Sequence, residues 1–420
     1  MKILLYSLNY SPEQVGIGKY SGEMAQWLKD RGHQLNVLTA QPYYPTWHIE
    51  DGYRNRYKME QAEGLRVYRC PLWVPRKPNG LSRLLHLASF AVTSLPLLIS
   101  KFWWRPEIVI CIAPAFFCAP GALLLGKLCG KQTTTWLHIQ DFELDAAFEL
   151  GILKGHVLRS IAISLERSTL RRFNRVSTIS SAMVKRLKAK GVDPSRSLLV
   201  RNWVDLESIF PQVGTERREN PYRQELGISS NQLLLMYSGS MNKKQGLDVL
   251  AGVIKKLADV PNLVWLLAGE GPTKNELIAA TQDFHNVHHF PLQPVERLND
   301  WLNAADIHLL PQKAEAADLV LPSKLLGILA SGRPLVASSP AESELAEFAK
   351  QAGACVTPGD IDGFATAIRE LISSEHHRNE SGKRARKLAE QYFGIHTVLN
   401  SFEQQLGDLI AKADMHVDTY

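Results

Sequence analysis

Cysteine is scarce in this sequence, and what there is does not pair. Cys70, Cys111, Cys118, Cys129 and Cys355 are odd in number and form no C-x-x-C. Most lie in apolar runs, so they read as buried free thiols in a reducing compartment, not as a disulfide frame or a zinc site. A comfortable membrane span is also missing. The most apolar stretch, residues 83–106, holds 17 consecutive residues without Lys, Arg, Asp or Glu, 84–100. That is the lower edge of a spanning length, and the stretch contains Pro96, His86 and several hydroxyl side chains. The opening MKILLYSLNYSPE holds about six apolar residues before polar ones, too few for a signal peptide. It reads as a first buried strand, and the chain as cytoplasmic. Strong charge of one sign is absent as well: 48 basic and 42 acidic residues leave +6. That excess suits an anionic membrane surface but is too weak to argue for nucleic acid. RNP-like, zinc-finger and helix-turn-helix signatures are missing, so no nucleic-acid partner is expected.

The 420 residues, 45% hydrophobic and 21% charged, describe a globular chain of two domains. In the first half, strand-like runs at 2–8, 35–39, 108–112, 133–139 and 175–179 alternate with helical patterns such as 20–31. The second half repeats the scheme, with strands at 233–238, 263–268, 307–310 and 335–337 and helices at 246–257 and 273–281. Alternation of this kind predicts α/β domains with parallel sheets covered on both faces. Residues 201–227 are polar, carry two prolines and show no sustained periodicity, and so read as a linker. The expected domains are 1–203 and 204–390, with a helical tail at 391–420.

Four places carry side chains suited to chemistry. After the first strand, SLNYSPEQVGIGKYSGEMA places Gly16 and Gly18 before a helix, where glycines admit a ligand and the helix start favours an anion. The stretch is not G-x-G-x-x-G, because the third glycine falls at Gly22, one residue late. A ligand loop and a plain connector are both open here. In YSGSMNKKQGLDVL, Gly239, Ser240, Lys243 and Lys244 follow a strand and precede a helix. Lysines at a helix start oppose the macrodipole, and an anion between them removes the conflict. The bland alternative is two solvated surface lysines. In LPSKLLGILASGRPLV, Leu321, Pro322 and Ser323 open a helix with Lys324 in its first turn and Asp318 just upstream. In an open parallel sheet such loops share the carboxyl edge, where ligands bind. A diphosphate held by Ser240, Lys243 or Lys244 and Ser323–Lys324 accounts for both lysine-bearing helix starts. Finally, His138 and Asp141 close the strand in TWLHIQDFELDAAF. They suit contact with a sugar hydroxyl or a leaving phosphate, although a lone strand-end histidine is more often buried and hydrogen-bonded.

Around residues 83–106, Arg76, Lys77, Arg83, Lys101 and Arg105 stand with Trp73, Trp103 and Trp104. Basic residues and tryptophans beside an apolar amphipathic helix suit a helix lying on an anionic bilayer. The alternative is a buried helix of the first domain.

The ordered set of the Gly16-x-Gly18 loop, RGHQLNVLTA, RNWVDLE, YSGSMNKKQG, LLAGEGP and PSKLLGILASGRPLV resembles glycosyltransferase family 4, over nearly the whole chain. The resemblance implies the GT-B fold of two facing Rossmann-like domains, with a last helix crossing back onto the first. It implies retaining transfer from a nucleotide-sugar to a lipid-linked saccharide, in exopolysaccharide assembly at the inner face of the cytoplasmic membrane. The C-terminal domain would hold the nucleotide and the N-terminal domain the acceptor, with no metal and no cofactor. Lys243 or Lys244 and Lys324 would then stabilise the departing diphosphate. His138 matches a cleft histidine that touches the transferred sugar, and Gly16 and Gly18 would face donor phosphates or acceptor. Glu270 would lie near the nucleotide, and Phe290-Pro291-Leu292 beside the base. A GDP-sugar, GDP-fucose, is favoured over a UDP-sugar, though no residue of the base-side segment derives guanine.

The sequence departs from the family at informative points. Many members carry a pair of glutamates flanking the Pro-x-Lys helix start; here Leu319 and Gly327 stand at those positions. Asp318 is the candidate to take the first role, contact with the sugar's hydroxyls. Many members also have Arg and Lys where Ser240 and Gln245 stand, so Lys243 or Lys244 is expected to reach the phosphates. Two other classes compete. A two-Rossmann nucleotide-sugar epimerase has no need of the 83–106 helix. A non-catalytic scaffold of a polysaccharide assembly complex has no need of Lys324. A nicotinamide-dependent dehydrogenase is disfavoured by the missing G-x-G-x-x-G.

Overall fold

The computed structural model describes residues 1–113, 116–142, 156–316 and 321–415. The chain forms two compact units, Met1–Val200 with Leu399–Tyr420, and Arg201–Val398.

The first unit is built on aliphatic runs that bury both faces. Strands β1 (Lys2–Ser7), β2 (Gln34–Ala40), β3 (Lys58–Ala62), β4 (Leu65–Cys70), β5 (Ile108–Ala113), β6 (Thr134–Ile139), β7 (Arg175–Thr178) and β8 (Ser197–Leu199) form one sheet. Its order is β3-β4-β2-β1-β5-β6-β7-β8. Only the β3–β4 pair is antiparallel, and β5 is buried at every position. Helix α1 (Gly16–Asp30) ends where Gly32, at φ +85, turns the chain into β2. Helices α2 (Gly80–Ser100), α3 (Ala119–Cys129), α4 (His156–Leu170) and α5 (Ser181–Ala189) follow. The connections β4–α2–β5, β5–α3–β6, β6–α4–β7 and β7–α5–β8 all move the same way across the sheet. The right-handed rule for such crossovers assigns α2, α3 and α5 to one face of the sheet and α1 to the other.

Helix α2 is capped by Asn79 and Ser82, each accepting from the other's backbone N–H. Its inner stripe, His86, Leu87, Phe90, Ser94 and Leu98, is buried. Ser94 Oγ shares a 2.5 Å hydrogen bond with Tyr6 of β1. Its outer stripe leaves Leu81, Leu85, Val92, Leu95 and Ile99 exposed, Val92 by 71%. The helix is thus neither wholly buried nor free of the domain: one side packs on the sheet and the other is open. Lys101, expected as a flanking surface charge, is instead buried with its ammonium 3.0 Å from the centre of the Tyr68 ring. Burial and the neighbouring Arg66 push its pKa down to about 8.

The second unit contains β9 (Leu233–Ser238), β10 (Leu263–Ala268), β11 (Val287–Phe290), β12 (Ile307–Leu310), β13 (Leu335–Ser338) and β14 (Gly353–Val356). All are parallel, in the order β11-β10-β9-β12-β13-β14. The helices used below are α6 (Asp248–Lys256), α7 (Lys274–Thr281), α8 (Leu298–Ala304), α9 (Ser323–Ala330), α10 (Glu344–Ala352), α11 (Ile361–Ser373), α12 (Glu375–Tyr392) and α13 (Ile395–Met415). One core, with Leu250, Val253 and Trp265, fills the space between α6, α11 and the sheet; another joins α9, α10 and α12.

The stretch read as a linker, 201–227, is part of this second unit. Val204 and Ile209 are buried in its core, and Arg223 pairs with Asp306 at 3.0 Å. Its apolar residues are too widely spaced to show a period, because irregular chain wraps the core without forming a long element. Helix α13 begins in the second unit and joins the first from Leu399 onward. There Phe402 meets the Trp136 ring edge-on at 5.0 Å, and Glu403 lies 3.0 Å from His33 Nε2.

Candidate functional site

In the second unit, β9 sits between β10 and β12, so the loops after β9 and β12 lead away in opposite directions. Such a switch point opens a crevice at the carboxyl edge of a parallel sheet. Both lysine-bearing segments meet there. The backbone N–H of Lys313 donates to the Lys244 carbonyl at 3.0 Å and ties the two loops together.

Lys324, in the first turn of α9, turns its side chain across this crevice. Its Nζ donates to Tyr237 Oη and to Gln245 Oε1, both at 2.6 Å, and stands 4.3 Å from the Tyr237 ring centre. Tyr237 in turn donates to the Ser240 carbonyl at 2.5 Å. Among the described residues no carboxylate pairs with Lys324. Burial lowers its pKa to about 7, because neutral oxygens replace water poorly around an ammonium. Gly239 is what admits this side chain: a Cβ there would lie 2.3 Å from Lys324 Cε, and the φ of +144 suits glycine alone.

The neighbouring loops close on the same edge. Met241 N donates to the Glu270 carbonyl at 2.8 Å, and Gly269 N to the Phe290 carbonyl at 3.0 Å. The Glu270 carboxylate is exposed and held by Lys274 at 2.7 Å. Phe290 is half-buried against Trp301, and Leu292 is exposed. Gly239, Ser240, Glu270, Phe290 and Lys324 therefore share one edge. Pro322 is the N-cap of α9, Ser323 is exposed in its first turn, and Leu321 packs against the core. Asp318 lies outside the described residues.

Lys243 and Lys244 do not open a helix. They sit in a 3-10 turn, Lys243–Gln245, separated from α6 by Gly246 in the left-handed region, and both are exposed. The residue that reaches Lys324 is Gln245, which the sequence reading treated as a loss. Tyr237 was also missed; the one signal for it is a tyrosine at the end of the aliphatic strand LLLMYS.

In the first unit, Gly16 and Gly18 form the first turn of α1 and do not precede it. Gly16 is exposed; Gly18 is buried where a Cβ would come within 2.5 Å of Glu13 Cβ. Close approach of Glu13 thus accounts for this glycine. The Glu13 carboxylate accepts from Asn9 Nδ2 at 2.9 Å and from the backbone N–H groups of Tyr43 and Tyr44 at 3.1 and 3.0 Å. It fastens the loop after β1 to the loop after β2, and burial raises its pKa.

His138 is wholly buried within β6, on the same face as Trp136. Its Nδ1 lies 2.8 Å from Ser177 Oγ, which also accepts from Trp136 Nε1, and its Nε2 lies 3.1 Å from Gln140 Nε2. Burial lowers its pKa to about 4, so the ring is neutral. Both ring nitrogens are engaged, and the group nearest the strand end is Gln140. Asp141, just beyond, is exposed.

The sequence and the fold both match known proteins. Residues 15–203 match the glycosyl transferase 4-like domain, and residues 232–374 match glycosyl transferases group 1. A protein of Escherichia coli K12, WcaI, assigned by name to colanic acid biosynthesis as a glycosyl transferase, is 39% identical over 411 residues. That match covers 96% of this chain and 98% of WcaI. Among solved structures, sucrose-phosphate synthase from Thermosynechococcus elongatus superposes with a TM-score of 0.72 at 15% identity, covering 98% of this chain and 99% of that one. Anabaena HepE, solved with UDP and glucose, gives 0.67 at 15% identity, covering 97% and 100%. The chain therefore belongs to glycosyltransferase family 4 and is a glycosyltransferase of the GT-B fold.

Proposed function

We propose that this glycosyltransferase takes its sugar from a nucleoside diphosphate sugar bound at the carboxyl edge of the second unit, and that Lys324 holds the diphosphate. The observation that carries the reading is Lys324 itself, a desolvated ammonium at a helix start with only neutral partners among the described residues. A diphosphate supplies the missing negative charge, and the N–H groups opening α9 add to it. The exposed Lys243 and Lys244, on the adjoining loop, are placed to add charge as the leaving group departs.

The acceptor hydroxyl attacks the anomeric carbon as the bond from that carbon to the β-phosphate oxygen breaks. The hydroxyl proton passes to the departing phosphate oxygen, and the new bond forms on the face the diphosphate leaves, so configuration is retained. Glu270, Phe290 and Leu292 border the nucleotide, and Ser240, Ser323 and Pro322 the phosphates. The relative named for colanic acid biosynthesis supports exopolysaccharide assembly, with a lipid-linked saccharide as acceptor and GDP-fucose as favoured donor. HepE with UDP and glucose supports a nucleotide-sugar in general and keeps UDP-glucose as the alternative. The first unit takes the acceptor, and the open stripe of α2 rests on the membrane.

The test is transfer of radiolabelled sugar from GDP-fucose, UDP-glucose or GDP-mannose to a lipid extract, read by thin-layer chromatography, with the product anomer assigned by NMR. Label in the lipid fraction from GDP-fucose with retained configuration supports the whole reading. Label from UDP-glucose alone removes the fucose assignment, and inversion removes the mechanism.

A further inference from the structure

Helix α4 carries a feature that donor chemistry does not use. Ser160, Ser164 and Ser168 recur every fourth residue and so form one row along the helix. Arg159, Ile163, Arg167 and Arg171 form the adjacent row, and Arg172 closes the serine row. Short hydroxyl side chains beside long guanidinium side chains leave a groove, and these residues line a cavity of about 800 Å³. All four arginines are exposed. Among the described residues the side chains of Arg167 and Arg172 have no hydrogen bond or ion pair. Arg171 spends only its Nε, on the Gly191 carbonyl at 3.1 Å. The lone acidic residue of α4, Glu166, is buried and paired with Lys190.

Apolar side chains stand beside this charge. Ile161 and Leu165, one turn apart on α4, are 59% and 61% exposed. Leu124 and Leu128 of α3 and the outer stripe of α2 are exposed as well. Guanidinium groups and hydroxyls recognise phosphate oxygens, and exposed aliphatic side chains next to them match the boundary between headgroups and acyl chains.

We propose that this serine-floored, arginine-walled groove binds the phosphate of an anionic membrane lipid and seats the first unit on the bilayer. It rests on the membrane-facing part of the function proposed above and not on the donor. A soluble phosphate has the same polar chemistry but no use for Ile161 and Leu165.

The experiment is sedimentation of the full chain with vesicles of phosphatidylcholine alone or mixed with phosphatidylglycerol, at low and at 0.3 M salt, roughly threefold different in screening length from 0.03 M. Wild type binds the mixed vesicles and releases in salt. Arg167→Ala with Arg172→Ala weakens this binding about 25-fold, roughly fivefold for each arginine near an anionic surface. Ser164→Asp, which leaves every arginine in place, weakens it as well. Lys255→Ala with Lys387→Ala, the same charge loss in the second unit, leaves it unchanged. Equal binding by the double arginine variant and this control overturns the proposal. So does tight binding of wild type to phosphatidylcholine alone, or thermal stabilisation by inorganic phosphate without vesicle binding. Nucleotide-induced thermal stabilisation, measured on the same samples, reports the donor site separately: its absence in wild type would count against the donor reading and leave the groove standing.

Discussion

Tyr237 lies near the end of strand β9 and Lys324 in the first turn of α9, yet their side chains meet at 2.6 Å and stack within 4.3 Å. Through Tyr237 and the Ser240 carbonyl, the lysine at the start of α9 is fastened to the loop after β9. The ammonium is held in place, and among the described residues no charged partner reaches it. Replacing it with methionine removes a half-buried, desolvated cation, so Lys324→Met leaves thermal stability unchanged or slightly raised. The same change removes one charge-assisted contact worth about 1.5–3 kcal/mol, and nucleoside diphosphate affinity falls roughly 10- to 150-fold. Calorimetric titration beside thermal unfolding checks both.

A pH dependence follows from the depressed pKa of about 7. Above that value the free protein carries neutral Lys324, whereas the unfolded chain keeps its lysine charged up to the ordinary value of about 10.4. The unfolded state then binds more protons, so this group raises stability as pH climbs from 7 toward 10. Diphosphate binding needs the charged form, so affinity falls as pH rises above 7, approaching tenfold per unit, and binding takes up a proton. Titrations between pH 7.5 and 9.5 in two buffers of different ionisation enthalpy measure this. Lys324→Met shows no such proton uptake.

Gly239 tests the packing of the same cluster. Gly239→Ala forces a Cβ to 2.3 Å from Lys324 Cε at a φ of +144. Strain of this kind costs about 1–3 kcal/mol, and the lysine is displaced. Thermal unfolding and nucleotide titration should both worsen, whereas Lys324→Met worsens only the second.

The sequence makes much of this legible, and the physical reasons differ by element. The buried strands β1, β5, β9, β10 and β12 are continuous aliphatic runs, and their boundaries in the structure differ from the expected ones by a residue or less. The edge strand β3 and its neighbour β4 escape notice because charged residues interrupt KMEQA and LRVYRC, Arg66 exposed and Arg69 buried. Lys324 shows itself by breaking the dipole preference. Tyr237 and Gln245 do not, because a contact across the switch point between separate elements leaves no spacing signal. The glycines of α1 look like a ligand loop, but the residue that Gly18 accommodates, Glu13, is known only once the loop is folded.

His138 supplies a stability test in the acid range. It and His308 are wholly buried, each with a pKa near 4. The unfolded histidines protonate near 6.5, so stability is full above that value and is lost as pH falls from 6.5 toward 4. Each histidine adds a slope of up to tenfold per pH unit to the unfolding constant. Denaturant midpoints between pH 4 and 7 should show it, with a shallower slope in His138→Gln. An unchanged slope would mean His138 is accessible to protons in the folded state.

The two sides of α2 should separate cleanly. Phe90→Ala, inside the core, destabilises the first unit by about 3–5 kcal/mol. Leu85→Ser with Val92→Ser, on the open stripe, changes stability little and weakens vesicle binding. Loss of vesicle binding from neither variant would remove α2 from the membrane contact.

The central claim, a nucleoside diphosphate at Lys324, is tested most directly by thermal unfolding of wild type and Lys324→Met with GDP, UDP, ADP or no nucleotide. A ligand at 100 times its Kd stabilises by about 2.7 kcal/mol. The account predicts a concentration-dependent rise for wild type with GDP, and a much smaller one for the variant. A rise with UDP alone keeps the site and changes the donor. Equal rises in wild type and variant, or none with any nucleotide, would contradict it.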